Sequence, residues 1–450
     1  MPLGIRSRIF PFLLVVLVGL ALAFAACGDD DDDDGDETPS PTPTEGVTGT
    51  PTDAPDIGTV DVIGQGWGDA ELAGFEALVQ PWEDSTGGDV AFTGTREITA
   101  QLTTRVEGNN PPDVALPAEI GLFQQFAREG LLAPLSECAG LEEKITAEYP
   151  QGFIDLGTVD GTLYGFFMKA DTKGTIFYDP AYFDANGLTP LTADSSFDDL
   201  IALTDEILAL GLPPWSMGQF ANGGTGFPGT DFIQQILLNE AGGAAYDGVI
   251  DGSVPFTDAD VKDAFEKFGQ IALTDGYTSQ GSADVINATS FQDAVFPPFE
   301  DPPEAAMTYM GGFASGFIAE QFPGAVPATD YDFFPFPGGG VTGGANIAYA
   351  FNSDPTTCSF LEHLASAEAQ QIWVDLGGFT SVNSGVDLSA YPDVIARAQA
   401  EQLTLAETFR FDLDDAIGGD LQSTFFVGVT EYLANPGDLD SILADIEAVR

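Results

Sequence analysis

Between residues 59 and 130 short apolar runs alternate three times with amphipathic ones, and this rhythm constrains the fold more than any other feature of the chain. Residues 59–64, 89–94 and 113–116 read as strands. Residues 70–84, 98–107 and 120–129 read as helices, the first with Leu72, Phe75, Leu78, Val79 and Trp82 along one face. Strand and helix in strict alternation predict parallel α/β units with right-handed crossovers. Such sheets bind ligands where the loops leave the carboxyl ends of the strands. Here those loops are Gln65-Gly66-Trp67-Gly68, Gly94-Thr95-Arg96-Glu97 and Pro117-Ala118-Glu119. They offer an aromatic ring, a guanidinium and a carboxylate, which suits a sugar better than a phosphate. The stretch 58–450 is too long for one core, because chains beyond about 250–300 residues divide, so two lobes are expected.

The N-terminus carries a different signal. Arg6 and Arg8 precede an apolar run over 9–24 that closes in Phe24-Ala25-Ala26-Cys27. The run is shorter than the roughly 20 residues that span a bilayer, which favours a cleaved export signal over 1–26, with an uncleaved anchor as the alternative. The ending resembles a bacterial lipobox. That resemblance implies lipidation of Cys27, with several acyl chains giving stable attachment to the membrane. Residues 27–57 hold the aspartates Asp29 to Asp34 followed by Pro, Thr and Gly. They are too polar to repay the entropy of ordering and read as a disordered linker rather than a metal site.

Charge excludes several functions. With 13 Lys plus Arg against 71 Asp plus Glu, the formal net charge is −58. A surface so negative repels nucleic acid and anionic lipid. A saline habitat and an acidic exported lineage both account for it. Beyond Cys27 the cysteines are Cys138 and Cys358, available to pair in an oxidising compartment or to stay as buried thiols. The single histidine, His363, and the absence of a calcium loop of the EF-hand kind, in which an Asp-x-Asp-x-Asp-Gly run closes on a glutamate, argue against zinc and calcium sites, and no metal or cofactor is expected. His363 reads as a helix-surface residue. An enzyme is disfavoured, since no Gly-x-Ser-x-Gly elbow and no singled-out carboxylate pair is present.

Several segments in order resemble one family. They are Asn110-Pro111-Pro112-Asp113-Val114-Ala115, Gly130-Leu131-Leu132-Ala133-Pro134-Leu135, Thr158 to Phe167, Lys169 to Tyr178, Pro214 to Gly218, Gly229 to Phe232, Leu273 to Tyr277, Asp301 to Pro303, and Asp330 to Pro337. Together they are similar to the extracellular solute-binding proteins (family 1, carbohydrate type) of bacterial ABC importers, nearest the α-glucoside-binding branch. The resemblance implies an α/β, two-lobed periplasmic-binding-protein-like fold (type II), each lobe a mostly parallel sheet flanked by helices and joined by hinge strands. Lobe 1 would comprise 58–168 and 314–342, and lobe 2 would comprise 175–306 and 350–450. The crossings would fall near 166–175, 307–313 and 343–351, where Gly311, Gly312, Gly343 and Gly344 can absorb rotation.

The implied function is capture of a sugar, an α-glucoside or oligosaccharide, by a monomer tethered at the outer face of the cell membrane or in the periplasm, and delivery to a permease. A sugar sensor or adhesin with the same fold, or a binder of another solute, is the alternative. Sugars need flat rings for their C–H faces and fixed polar groups for their hydroxyls. Trp67 and Trp215, one from each lobe, are candidate stacking rings, against lid and core roles. Arg96 is a candidate hydroxyl clamp, against a salt bridge to Glu97 or Glu119. Glu119 and Asp231 are candidate acceptors, Lys169 and Asn346 candidate polar contacts near the hinge, and Phe313 and Phe379 candidate walls. Phe227 and Phe232 stand where the α-glucoside branch leads one to expect tryptophan.

Overall fold

The computed structural model describes residues 57–377, 380–406 and 408–450. The export signal, Cys27, the linker up to residue 56 and Phe379 lie outside the described residues.

The three predicted strands form the centre of the first sheet: β1 (Thr59–Gln65), β2 (Asp89–Thr95) and β3 (Val114–Leu116). β1 runs parallel to both neighbours, with Val62 opposite Phe92 and Val114. The helices between them are α1 (Asp69–Thr86), α2 (Ile98–Glu107) and α3 (Ile120–Arg128). α1 buries Phe75, Leu78, Val79 and Trp82 against the sheet and ends at Gly87, whose φ of 74° favours glycine. A hairpin of β4 (Thr158–Val159) and β5 (Thr162–Leu163) leads into β6 (Gly165–Thr172). The chain then enters a second sheet made of β7 (Thr175–Tyr178), β8 (Trp215–Ser216), β9 (Met307–Met310) and β10 (Asp332–Pro335). It returns through the long β11 (Gly340–Ala350), followed later by β12 (Thr408–Phe411).

The first sheet has the order β12-β11-β3-β1-β2 with β6 paired to β11, and the second has the order β10-β7-β9-β8. Parallel pairing dominates around β1. In the second sheet only β8 and β9 are parallel. β11 is buried along its whole length and bulges between Asn346 and Ile347, where it pairs with β6. Among the described residues no helix is long and apolar enough to cross a membrane.

Two apolar cores result, and they redraw the expected lobes. The first core joins Val62 and Leu116 to Tyr349, Phe360, Trp373 and Phe411, so most of residues 345–411 belong to lobe 1 and not to lobe 2, with Ile395 packing across onto the smaller cluster around Phe177. β11 is the cause, because Tyr349 and Ala350 pair with Ala115 and Val114 of β3 and carry the following helices with them. The second core joins Ile176, Trp215, Phe232 and Met307 to Phe334 and Leu413 through Ile446. Of the expected segment 314–342, the helix and strand that precede β11 also pack with the second lobe. The helix Ala314–Gln321 sits in a smaller cluster with Phe177, Phe291 and Val295, and β10 pairs with β7. The chain therefore passes between lobes at Thr172–Thr175, at the start of β11 and at Phe411–Leu413 rather than at 307–313.

Cys138 and Cys358 form a disulfide across a sequence separation of 220 residues, with Cα atoms 5.2 Å apart. It ties the helix that follows β11 to lobe 1. Cys138→Ser with Cys358→Ser should lower the unfolding free energy by about 2–4 kcal/mol, the usual effect of releasing a cross-linked unfolded chain. Urea unfolding of the two forms measures it.

Candidate ligand-binding cleft

The loops leaving β1, β2 and β3 converge on a cavity of about 170 Å³ that the second lobe covers from the other side. Its walls are aromatic. Trp67 lies at the carboxyl end of β1 and stacks on Phe92, with centroids 5.3 Å apart and planes 9° from parallel. Trp373 braces it edge-on at 5.5 Å. Rings held this way present a rigid face at low entropic cost. The opposite wall is built from Phe227, Phe291 and Phe313 of the second lobe. The guanidinium of Arg96 reaches over Phe291 at 5.5 Å from its centroid, a cation–π contact that crosses the cleft.

The polar groups are ordered by two lysines, Lys169 buried and Lys173 mostly so. β6 places Lys169, Asp171 and the following Lys173 at a period of two, so the three share one face of an extended segment. Lys169 is 2% exposed, with Nζ 2.6 Å from Glu71 and 3.0 Å from Asp171. Burial alone would discharge it, but the two carboxylates outweigh burial and raise its pKa well above the ordinary lysine value. Glu71, at the start of α1, also accepts from Gly68 N at 3.2 Å. Burial opposes its charge, yet Lys169 prevails and lowers its pKa.

Lys173 crosses into the second lobe. Its Nζ lies 2.9 Å from Asp231 and 3.1 Å from Asp412. Gln234 donates to both carboxylates, at 3.1 and 2.8 Å. Asp231, Asp412 and Asp414 bring carboxylate oxygens within 4.8 Å of one another, a grouping that could hold a metal ion. The lysine ammonium already supplies positive charge to two of the three. Burial exceeds the attraction of Lys173, and with Asp412 alongside, Asp231 is pushed up to about 7.

Six of the expected residues line the cavity together: Trp67, Arg96, Glu119, Lys169, Phe313 and Asn346. Asn346 also donates to Leu116 O at 3.3 Å, joining β11 to β3 at the cleft floor. Trp215 does not line it. The ring is fully buried in the second core beside Phe232, and Nε1 donates to Thr204 at 3.1 Å. A tryptophan after two prolines begins a strand here, and that strand lies inside the lobe. Asp231 is likewise set back from the cavity, buried on Lys173. Phe379 lies outside the described residues.

Of the two phenylalanines at expected tryptophan positions, Phe227 lines the cleft while Phe232 is buried and stacks on Tyr309 at 4.3 Å. His363 is not a surface residue. Its ring is half-buried between helices and contacts Leu78 O at 2.7 Å. Glu71, Lys173 and Asp415 line the cavity without having been expected. For Lys173 a signal existed in the spacing of Lys169, Asp171 and Lys173. Asp415 had none, because one carboxylate among 71 acidic residues carries no mark of burial.

Comparison with known proteins places the chain in a family. Residues 77–400 match the family model of the bacterial extracellular solute-binding protein. The chain is 32% identical over 380 residues to an osmoprotective compounds-binding protein of Synechocystis sp., covering 83% of this chain and 88% of that one. It is 29% identical over 398 residues to the alpha-glucosides-binding periplasmic protein of Rhizobium meliloti, covering 85% of each. Among solved structures it resembles a chitin oligosaccharide binding protein, with a TM-score of 0.74 at 18% identity over 87% of this chain and 97% of that chain. A raffinose complex of the binding protein RafE gives a TM-score of 0.69 at 18% identity, covering 87% of this chain and 98% of the other. These structures share the two-lobed α/β fold. The chain belongs to the bacterial extracellular solute-binding proteins, a family that binds and does not catalyse.

Proposed function

We propose that this protein is the lipid-anchored binding component of a carbohydrate ABC importer. It captures a sugar or sugar-like polyol between its lobes and passes it to a membrane permease. The observation that carries this reading is the cleft itself, where an aromatic face from one lobe and phenylalanines from the other enclose fixed polar groups. The names of the relatives from Synechocystis and Rhizobium support an α-glucoside or a compact osmoprotective compound. The volume favours a small ligand, since about 170 Å³ is less than the roughly 300–1,000 Å³ typical of sites for drug-sized molecules. Export follows from the N-terminal signal, with Cys27 as the lipidated residue. Contacts to both lobes make the closed state the one the ligand favours, and the ligand shifts the lobes only by its difference in affinity for the two states.

Thermal unfolding of the mature chain with maltose, trehalose, sucrose, longer oligosaccharides and amino acids tests the proposal. One saccharide should raise the melting temperature, by an amount that grows with its concentration, and should be recovered unchanged. A rise with an amino acid alone, or breakdown of the sugar, would refute it.

A further inference from the structure

The lobes touch at two places on either side of the cavity. The first is its mouth. The order β11-β3-β1-β2 puts β2 three strands from the crossing strand β11, so the loop after β2 guards the edge farthest from the hinge. From that loop Arg96 crosses to Phe291 at 5.5 Å, and the Glu97 carboxylate fills the space that a Cβ on Gly223 would take, in the turn Asn222–Gly224. The second place is beside the hinge. Gly121, in the first turn of α3, meets Gly418, which joins the helix Leu413–Ile417 to the helix Gly419–Ala434. Ala416 leans on the first core there, while Ile417 and Phe425 pack in the second. Backbone rests on backbone: a Cβ on Gly121 would lie 3.1 Å from Gly418 Cα and 3.2 Å from both Ala416 O and Gly418 N. Gly418 has φ 59° and ψ −177°, a region that is essentially restricted to glycine. Neither surface can yield as a flexible side chain would.

We infer that Gly121 and Gly418 form the stop against which the lobes close, and that this contact, outside the cavity lining, sets the size of saccharide the closed cleft accepts. The selectivity rests on the carbohydrate reading above. Ordinary carbon–carbon contacts lie at about 3.5–4.0 Å, so alanine at position 121 needs roughly 0.5 Å more separation at the stop. Strands are spaced about 4.8 Å apart, which sets α3 about 5 Å and the β2 loop about 14 Å from β11. The mouth therefore opens about three times as far as the stop, by roughly 1.5 Å for alanine. The Arg96 contact on Phe291, at 5.5 Å, already nears the outer limit of about 6 Å and does not survive that opening. Valine adds a further carbon, about 1.5 Å, and holds the mouth open by several times that length. A cleft held ajar loses a small ligand that reaches both walls only at full closure, while a longer saccharide still spans the gap.

Calorimetric titration of the mature chain with glucose, maltose, trehalose, sucrose, maltotriose and raffinose measures the selectivity. For the saccharide that the wild type binds most tightly, Gly121→Ala should weaken binding about tenfold and Gly121→Val about a hundredfold, as the fully closed state becomes rarer. A saccharide one ring longer should lose less, so preference moves towards it. Alanine favours a helix over glycine, so Gly121→Ala should keep or raise the melting temperature without ligand, which separates the stop from a packing defect. Gly152→Ala, at a helical glycine with open space around it, should leave binding unchanged. Closure is also read without ligand. In a chain carrying Glu97→Cys and Gly223→Cys, a short bifunctional thiol reagent should join the two cysteines about tenfold more slowly once Gly121→Val is added. Crosslinking at the same rate with and without Gly121→Val, or an equal loss of affinity for saccharides of every size, would overturn the inference. If no saccharide bound the wild type, the carbohydrate reading would fail and the crosslinking rate would still decide the stop.

Discussion

Lys173→Met should lower the unfolding free energy by about 3–5 kcal/mol at pH 8, the loss typical of removing one partner from a buried ion pair. Among the described residues the ammonium is the one salt-bridge partner of Asp231 and of Asp412, both nearly inaccessible to water. Methionine fills similar volume, so the deficit reports the stranded carboxylates more than a cavity. The pH dependence identifies the cause. With the lysine present Asp231 titrates at about 7, far above the 3.8 of an exposed aspartate, because burial disfavours its charge. A group with a raised folded pKa binds more protons folded than unfolded, so its contribution weakens as pH climbs from about 4 towards 7. Without Lys173 that interval moves upward, and the variant should recover part of its deficit at pH 5, where Asp231 is protonated. Adding Asp412→Asn removes one stranded charge and should return part of the loss at pH 8. Urea unfolding followed by circular dichroism at both pH values decides the matter, and an equal deficit at pH 5 and pH 8 would contradict the charge argument.

Trp215→Ala should cost about 3–5 kcal/mol of stability while leaving ligand affinity nearly unchanged at temperatures where the variant is folded. The indole is completely enclosed, packs on Phe232 at 5.9 Å and satisfies its N–H on Thr204, so truncation opens a large cavity and frees a buried hydroxyl. Trp67→Ala is the informative contrast. Trp67 is only half-buried and turns its stacked ring to the cleft, so its truncation should weaken sugar binding by roughly 10- to 100-fold, the range of an aromatic anchor. Titration calorimetry beside thermal unfolding separates the two tryptophans. If Trp215→Ala lost affinity as severely as Trp67→Ala, the cleft would have to extend into the second core.

The chain's local chemistry determined the elements that frame the site. Apolar alternation at Val60, Val62 and Ile63 made β1 legible, and the helical spacing of Phe75, Leu78, Val79 and Trp82 made α1 legible. Because ligands gather where strands end, Trp67, Arg96 and Glu119 could be placed at the cleft from strand ends alone. Only tertiary structure decided which lobe owns the later chain. Helical periodicity shows that a face is buried but not which sheet buries it, and the pairing of Tyr349 with Ala115 settled that question for residues 345–411. The same limit explains Trp215. An indole after a turn reads alike whether it faces a cleft or a core, and its fate was set by Thr204 and Phe232, residues near in space through folding. The charges show the division most sharply. Sequence counted a large acidic excess, but whether a carboxylate is solvated or stranded depends on distance and dielectric. Those exist only once β6 carries Lys169 and the crossing carries Lys173 between acids from distant parts of the chain.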